Sequence, residues 1–132
     1  MTVTGTCLCG DVKITIPSMP AGSILCHCTH CQIAHGSAFS SNIVVSSDQV
    51  IVEGLTKTYI DTGTVSGQGN PRTFCQKCGT IVFSCPAPFK GNHIIKAGIF
   101  KDKAPCPVKE IMTCNRLSYI KPIVGAEQVE VM

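Results

Sequence analysis

The amino-acid sequence predicts a mainly β protein, and three observations carry that prediction. Apolar residues fall in short alternating or continuous runs, the pattern of half-buried and fully buried strands. Clusters of Pro, Gly, Ser and Asp punctuate the runs, as turns do. No stretch of ten residues carries a convincing helical periodicity. A length of 132 residues fits a single domain over residues 1–132, and 44% hydrophobic against 14% charged residues excludes a disordered chain.

Taken in order, Val12-Lys13-Ile14-Thr15-Ile16 is the first alternating strand, closed by the turn-forming Pro17-Ser18-Met19-Pro20-Ala21-Gly22. The one helical candidate runs from about Thr29 to His35, a short helical turn after the second cysteine cluster, ended by Gly36. Strands follow at Ile43-Val44-Val45 and Val50-Ile51-Val52, parted by Ser46-Ser47-Asp48; Glu53-Gly54 then turns the chain into Thr58-Tyr59-Ile60. The polar, glycine-rich span from Asp61 to Pro71 reads as a mobile loop. The series ends with strands at Thr80 to Ser84, Ile94-Ile95 and Val129-Glu130-Val131.

Charge decides little about function. Nine lysines, two arginines and eight acids give a net charge of +3 with no basic block, which argues against a nucleic-acid partner. The first six residues have neither a basic flank nor an apolar run, and no stretch approaches the ~20 apolar residues of a membrane helix. The expectation is a cytoplasmic protein with no membrane partner.

Ten cysteines in so short a chain require either a disulfide framework or metal binding. Their spacing favours metal: Cys7-Leu-Cys9, Cys26-His-Cys28-Thr-His-Cys31 and Cys75-Gln-Lys-Cys78 place thiols too close in sequence for easy disulfide geometry, but well for converging on one ion. Zinc suits such thiolate sets best, with iron as the alternative. Gly10 and Gly79 each follow a pair, where a knuckle must turn tightly and backbone N–H groups approach sulfur.

Seven clustered thiolates cannot fill two closed four-cysteine sites. Cys7, Cys9, Cys75 and Cys78 make up one tetrahedral, structural set, worth ~10–16 kcal/mol of apparent binding free energy to folding. Cys26, Cys28 and Cys31 leave a fourth position, either open to substrate, as in catalytic zinc, or closed by His27, His30 or His35, with His35 the best placed of the three. Spacing leaves both versions standing. Three thiolates on a divalent ion leave net charge −1 and favour a soft exchangeable ligand, an external thiol above all. Cys85, Cys106 and Cys114 are dispersed and read as buried hydrophobes, with Cys106 or Cys114 as a reserve ligand to the second metal.

At this point the residues Gly5-Thr6-Cys7-Leu8-Cys9-Gly10, Cys26-His27-Cys28-Thr29-His30-Cys31 and Arg72-Thr73-Phe74-Cys75-Gln76-Lys77-Cys78-Gly79-Thr80 resemble the glutathione-dependent formaldehyde-activating enzyme family, which also includes centromere protein V. The resemblance continues through Lys96-Ala97-Gly98-Ile99-Phe100 and from Pro107 to Tyr119. It implies a β-tent fold of packed antiparallel sheets stapled by a structural zinc at Cys7, Cys9, Cys75 and Cys78. It also implies a second, catalytic zinc at Cys26, Cys28 and Cys31, which favours the open site. The chain departs from the family pattern at Gln32, at Glu110-Ile111, at Lys101 and at Tyr119, departures that bear on substrate more than on metal.

Two zinc ions per chain and a zinc-dependent carbon–sulfur lyase or synthase are therefore expected, with glutathione or a similar small thiol and an electrophilic carbon as partners. Arg72, Lys77 and Lys96 are candidates for substrate carboxylates, Arg72 foremost because it adjoins a knuckle; solvated charge is the competing reading for each. His27, His30 and His35 are candidates for proton carriers or for hydrogen bonds around the cluster. The alternative function is a zinc-stabilised module that binds protein or nucleic acid without turnover, for which no basic stripe or stacking aromatic set is present. A third possibility, chemistry through metal-bound water, is disfavoured because thiolates weaken that water's acidity.

Overall fold

Lys13–Ile16 (β2) shows how the core is built: Ile14 and Ile16 are buried while Lys13 is exposed, the two-residue period of a strand with one wet face. A computed structural model describes residues 2–64 and 66–132. Met1, which opens the N-terminal segment, and Val65, within the Asp61–Pro71 span, lie outside the described residues.

β2 pairs antiparallel with Val3–Thr6 (β1) and with Ile51–Glu53 (β5), forming a three-stranded sheet. The remaining strands are Ser23–Cys26 (β3), Ser40–Ser46 (β4), Thr56–Asp61 (β6), Asn70–Cys75 (β7), Ile81–Ser84 (β8), Asn92–Lys96 (β9), Pro107–Ile111 (β10) and Glu127–Gln128 (β11). They form one eight-stranded sheet in the order β11-β10-β3-β4-β9-β8-β7-β6. β10 runs parallel to both β3 and β11, so this sheet is mixed and not purely antiparallel. The core lies between the sheets: Val12, Ile14 and Ile16 from one side meet Ile43, Val45, Val82 and Ile95 from the other, with Phe100 at the margin. Burying side chains of this size stabilises by about 1.5–3 kcal/mol each.

The one α-helix among the described residues, Thr29–His35 (α1), has the predicted bounds. Cys28 caps its N-terminus by accepting from the Cys31 N–H through Sγ, and Gly36 ends it in the left-handed region at φ 55°.

Several expectations are corrected. β1, β3, β7 and β10 are strands that the hydrophobic pattern did not reveal. β3 and β7 are interrupted by polar and ligand residues, whose positions are set by pairing with β4 and β6. The span from Asp61 to Pro71, expected as a loop throughout, has strand at both ends, because Asp61 ends β6 while Asn70 and Pro71 begin β7 and pair with Asp61 and Ile60. The last strand forms at Glu127–Gln128 instead of Val129–Val131. The latter residues hydrogen-bond instead to the irregular turn after Met112, whose φ of 55° takes it out of strand geometry. Cys106 and Cys114 are exposed and Cys85 half-buried. The Cys106 carbonyl is held by Ser23 N–H, and Cys114 sits in a surface turn beside Asn115, so neither thiol is drawn into the core.

Candidate metal centre and adjoining cavity

Two hairpin turns build the first cluster. Cys7 and Cys9 lie between β1 and β2, while Cys75 and Cys78 lie where β7 turns into β8. The two turns share a pattern: Cys7 N–H donates to the Val12 carbonyl and Cys75 N–H to the Thr80 carbonyl. Gly10 at φ 84° and Gly79 at φ 78° supply the left-handed residue each turn needs. The four Sγ atoms lie within 4.8 Å of one another. Cys7 to Cys9 is 3.6 Å and Cys9 to Cys75 is 3.7 Å. A tetrahedral ion with bonds of ~2.3 Å to sulfur requires sulfurs about 3.8 Å apart, so the set fits zinc. The N–H groups of Val12, Lys77 and Cys78 donate to these sulfurs, which favours the anionic form. The Thr80 hydroxyl, followed by its N–H, holds the Cys78 thiol down to about 5.

The second cluster comes from the end of β3 and the start of α1. Cys26, Cys28 and Cys31 bring three Sγ atoms within 4.8 Å of one another, and among the described residues no histidine nitrogen joins them at that spacing. Hydrogen bonds from Cys26, then Cys28, push the Cys31 thiol far below its ordinary range, while Cys28 and then Cys31 push Cys26 well above. Three such thiols cannot all ionise without a cation among them, which is the donor chemistry a divalent metal meets.

Of the three neighbouring histidines, His27 and His30 are engaged elsewhere and His35 has a buried Nε2 without a partner among the described residues. His27 is fully buried; its Nε2 lies 2.8 Å from Glu110 Oε1 and its ring meets Phe39 edge-on. His30 Nδ1 lies 2.8 Å from Asp61 Oδ2, and Asp61 in turn accepts from Arg72 at 3.0 and 3.1 Å. His35, the expected closing ligand, occupies the last turn of α1. Burial foremost, then the Lys96 charge, pushes it down to about 4, and it does not line the cavity. Gln32, at a departure from the family pattern, ties the helix down by donating to the carbonyls of His27 and Asn115.

The trio opens onto a cavity of about 170 Å³. One face of the large sheet forms its floor. Along β4, Ser40, Asn42 and Val44 point into the cavity while Ile43 and Val45 point into the core. Arg72 and Lys96 are lining residues, and both are buried instead of solvated as expected; Lys77 remains exposed, paired loosely with Asp11 at 3.6 Å. Lys96 Nζ donates to Asn42 Oδ1 at 2.7 Å, and no carboxylate pairs with it among the described residues. Burial pulls Lys96 down to about 8, opposed mainly by the Cys31 thiolate. This ammonium therefore balances the negative charge of the trio.

Asp61, Asn42 and Glu110 escaped the sequence reading as site residues. Asp61 and Glu110 carry no local motif, because their partners lie 31 and 83 residues away. The Ser40-x-Asn42-x-Val44 alternation was the one signal available for Asn42.

No helix among the described residues is long and apolar enough to cross a membrane. No curated protein matches the chain. Among solved structures, a crystal structure of a Rhodobacter sphaeroides protein, a structural-genomics target, is similar in fold with a TM-score of 0.59. It is 19% identical and covers 80% of this chain and 99% of its own. The family model described as glutathione-dependent formaldehyde-activating enzyme matches residues 2–115, which include both cysteine clusters. With that span matched, the chain belongs to the glutathione-dependent formaldehyde-activating enzyme family.

Proposed function

We propose that the protein is a zinc-dependent carbon–sulfur lyase or synthase, of the S-(hydroxymethyl)glutathione synthase type, acting on glutathione or a similar small thiol. The observation that carries this reading is a set of three convergent thiols, lacking a histidine to complete it, at the wall of a cavity that also holds a buried ammonium. In this reading Cys7, Cys9, Cys75 and Cys78 hold a structural zinc, while Cys26, Cys28 and Cys31 hold the catalytic one. When bound there, zinc supplies a soft exchangeable position that keeps an incoming thiol ionised near neutral pH.

The chain's own residues do the rest. Lys96, Asn42 and Ser40 form the polar end of the cavity, where an oxygen on the reacting carbon finds donors. Arg72 is held by Asp61 through Nε and one terminal nitrogen, leaving its other donors for a substrate carboxylate. In the forward direction the thiolate sulfur bonds the carbonyl carbon, and the π pair moves to oxygen, which takes a proton from water. The reverse step breaks the same carbon–sulfur bond and returns the proton.

Calorimetric titration of glutathione into metal-replete protein tests this reading, together with the rate of S-(hydroxymethyl)glutathione formation over the spontaneous rate by NMR. Binding and acceleration in the natural chain, both lost in Cys28→Ser, are the expected results. Protein that holds two zinc ions yet neither binds thiol nor accelerates the reaction would replace this reading with the binding-module alternative.

A further inference from the structure

The register of the cavity floor grades from polar to apolar. Cys26 stands opposite Ser40 and Ile24 opposite Asn42; on the far side of β4, Asn42 stands opposite Lys96 and Val44 opposite Ile94. Same-face residues two apart are separated by ~7 Å along a strand. On β4 and β9 an amide and an ammonium, Asn42 and Lys96, are thus followed one step further from the trio by the branched aliphatic pair Val44 and Ile94, while Ile24 lies level with Asn42 and Lys96. Ile111 stands opposite Cys26, so an aliphatic side chain also adjoins the trio, and Phe89 and Met112 are further apolar lining residues.

We infer that the site takes thiol adducts whose reacting carbon bears an apolar substituent of several carbons, the adducts of larger aldehydes, in preference to those of a one-carbon aldehyde. This inference rests on the reading that a thiol binds beside Cys26, Cys28 and Cys31. The sulfur and oxygen of the adduct occupy the polar end, and its substituent passes Ile24 and lies along Val44 and Ile94. An apolar cavity near 150 Å³ accepts a benzene-sized guest. The 170 Å³ here spans the polar and apolar ends together, which leaves room for a chain of several carbons beyond the sulfur and oxygen.

S-Methyl-, S-butyl- and S-hexylglutathione, titrated into zinc-loaded protein beside glutathione itself, test the inference. Each methylene that leaves water tightens binding roughly fourfold. The S-hexyl compound is therefore expected to bind at least a hundredfold more tightly than the S-methyl one. Val44→Thr and Ile94→Thr, which keep β-branched side chains in the strands, should flatten that series with the far-UV spectrum unchanged. A flat series in the natural chain, with glutathione still binding, overturns the inference and leaves the thiol reading intact. Failure of every glutathione compound while 1-hexanethiol binds, and binds more weakly to Val44→Thr, rejects glutathione as the thiol and upholds the apolar chamber. Failure of all ligands in folded protein with two zinc ions rejects both.

Discussion

Glu110 concentrates more structure on one side chain than any motif residue does. Fully buried, it accepts from His27 Nε2 at 2.8 Å, Ile123 N–H at 2.8 Å and Gln128 Nε2 at 2.7 Å, with Arg116 at 3.5 Å. Burial alone would raise its pKa, but the Gln128, Ile123 and His27 bonds and the Arg116 charge hold it down to about 2. With the folded value below the ordinary 4.5, its stabilisation is fully present above pH 4.5 and lost as pH falls through about 2. Glu110→Gln keeps the shape and removes the charge, and should cost about 1.5–3 kcal/mol, the worth of hydrogen bonds to a charged group. Urea unfolding at pH 7 and pH 5 should show the same gap between the two proteins. The gap should then shrink at pH 3, and a gap unchanged at pH 3 would place the carboxyl near its ordinary range.

At the scale of elements, the His30–Asp61–Arg72 chain joins α1 to the β6–β7 hairpin. β3, which leads into α1, and β6 are separated in the sheet by β4, β9, β8 and β7, so the sheet curls until its flanks meet over the cavity. The His30 side chain is 38% exposed, and its share of the tie is correspondingly screened. Arg72 is 7% exposed, so Asp61→Ala strands a buried cation and should cost about 3–5 kcal/mol. The double variant Asp61→Ala/Arg72→Met should recover much of that loss in thermal unfolding. If the double variant is no more stable than Asp61→Ala, the stranded charge is not the cause. The helix in this assembly was legible in the sequence, since Gly36 and the cysteine spacing are local signals. The tie was not, because Asp61 sits in a polar span that reads as loop until β7 fixes its register.

Over the whole molecule the two clusters differ in what they hold. Cys7 and Cys9 belong to a turn of the small sheet and Cys75 and Cys78 to one of the large sheet, so a metal ion held by the first cluster would fasten the two sheets beside a core of aliphatic residues. A structural zinc contributes ~10–16 kcal/mol in apparent terms, against the 5–15 kcal/mol net stability of an ordinary domain. Cys75→Ser should therefore leave the chain unfolded or with a greatly lowered Tm. Cys28→Ser should remain folded with one zinc, because Cys26, Cys28 and Cys31 all come from one short segment. Metal analysis beside circular dichroism checks both, and equal loss of fold in the two variants would mean that both clusters are scaffolding.

The sequence by itself determined the cysteine spacing, the knuckle glycines, the helix cap and the two-residue alternation of β2. Each is a local property, written within a few residues, and together they sufficed for a mainly β chain with two thiol clusters. Only the tertiary structure decided that Lys96 and Arg72 are buried, that Glu110 takes His27, that Asp61 takes His30, and that Val44 and Ile94 pair beyond Asn42 and Lys96 on the cavity floor. Those facts depend on strand order and register across the eight-stranded sheet. Pairing there is fixed by burying one face against the small sheet, a constraint that no local stretch of sequence contains.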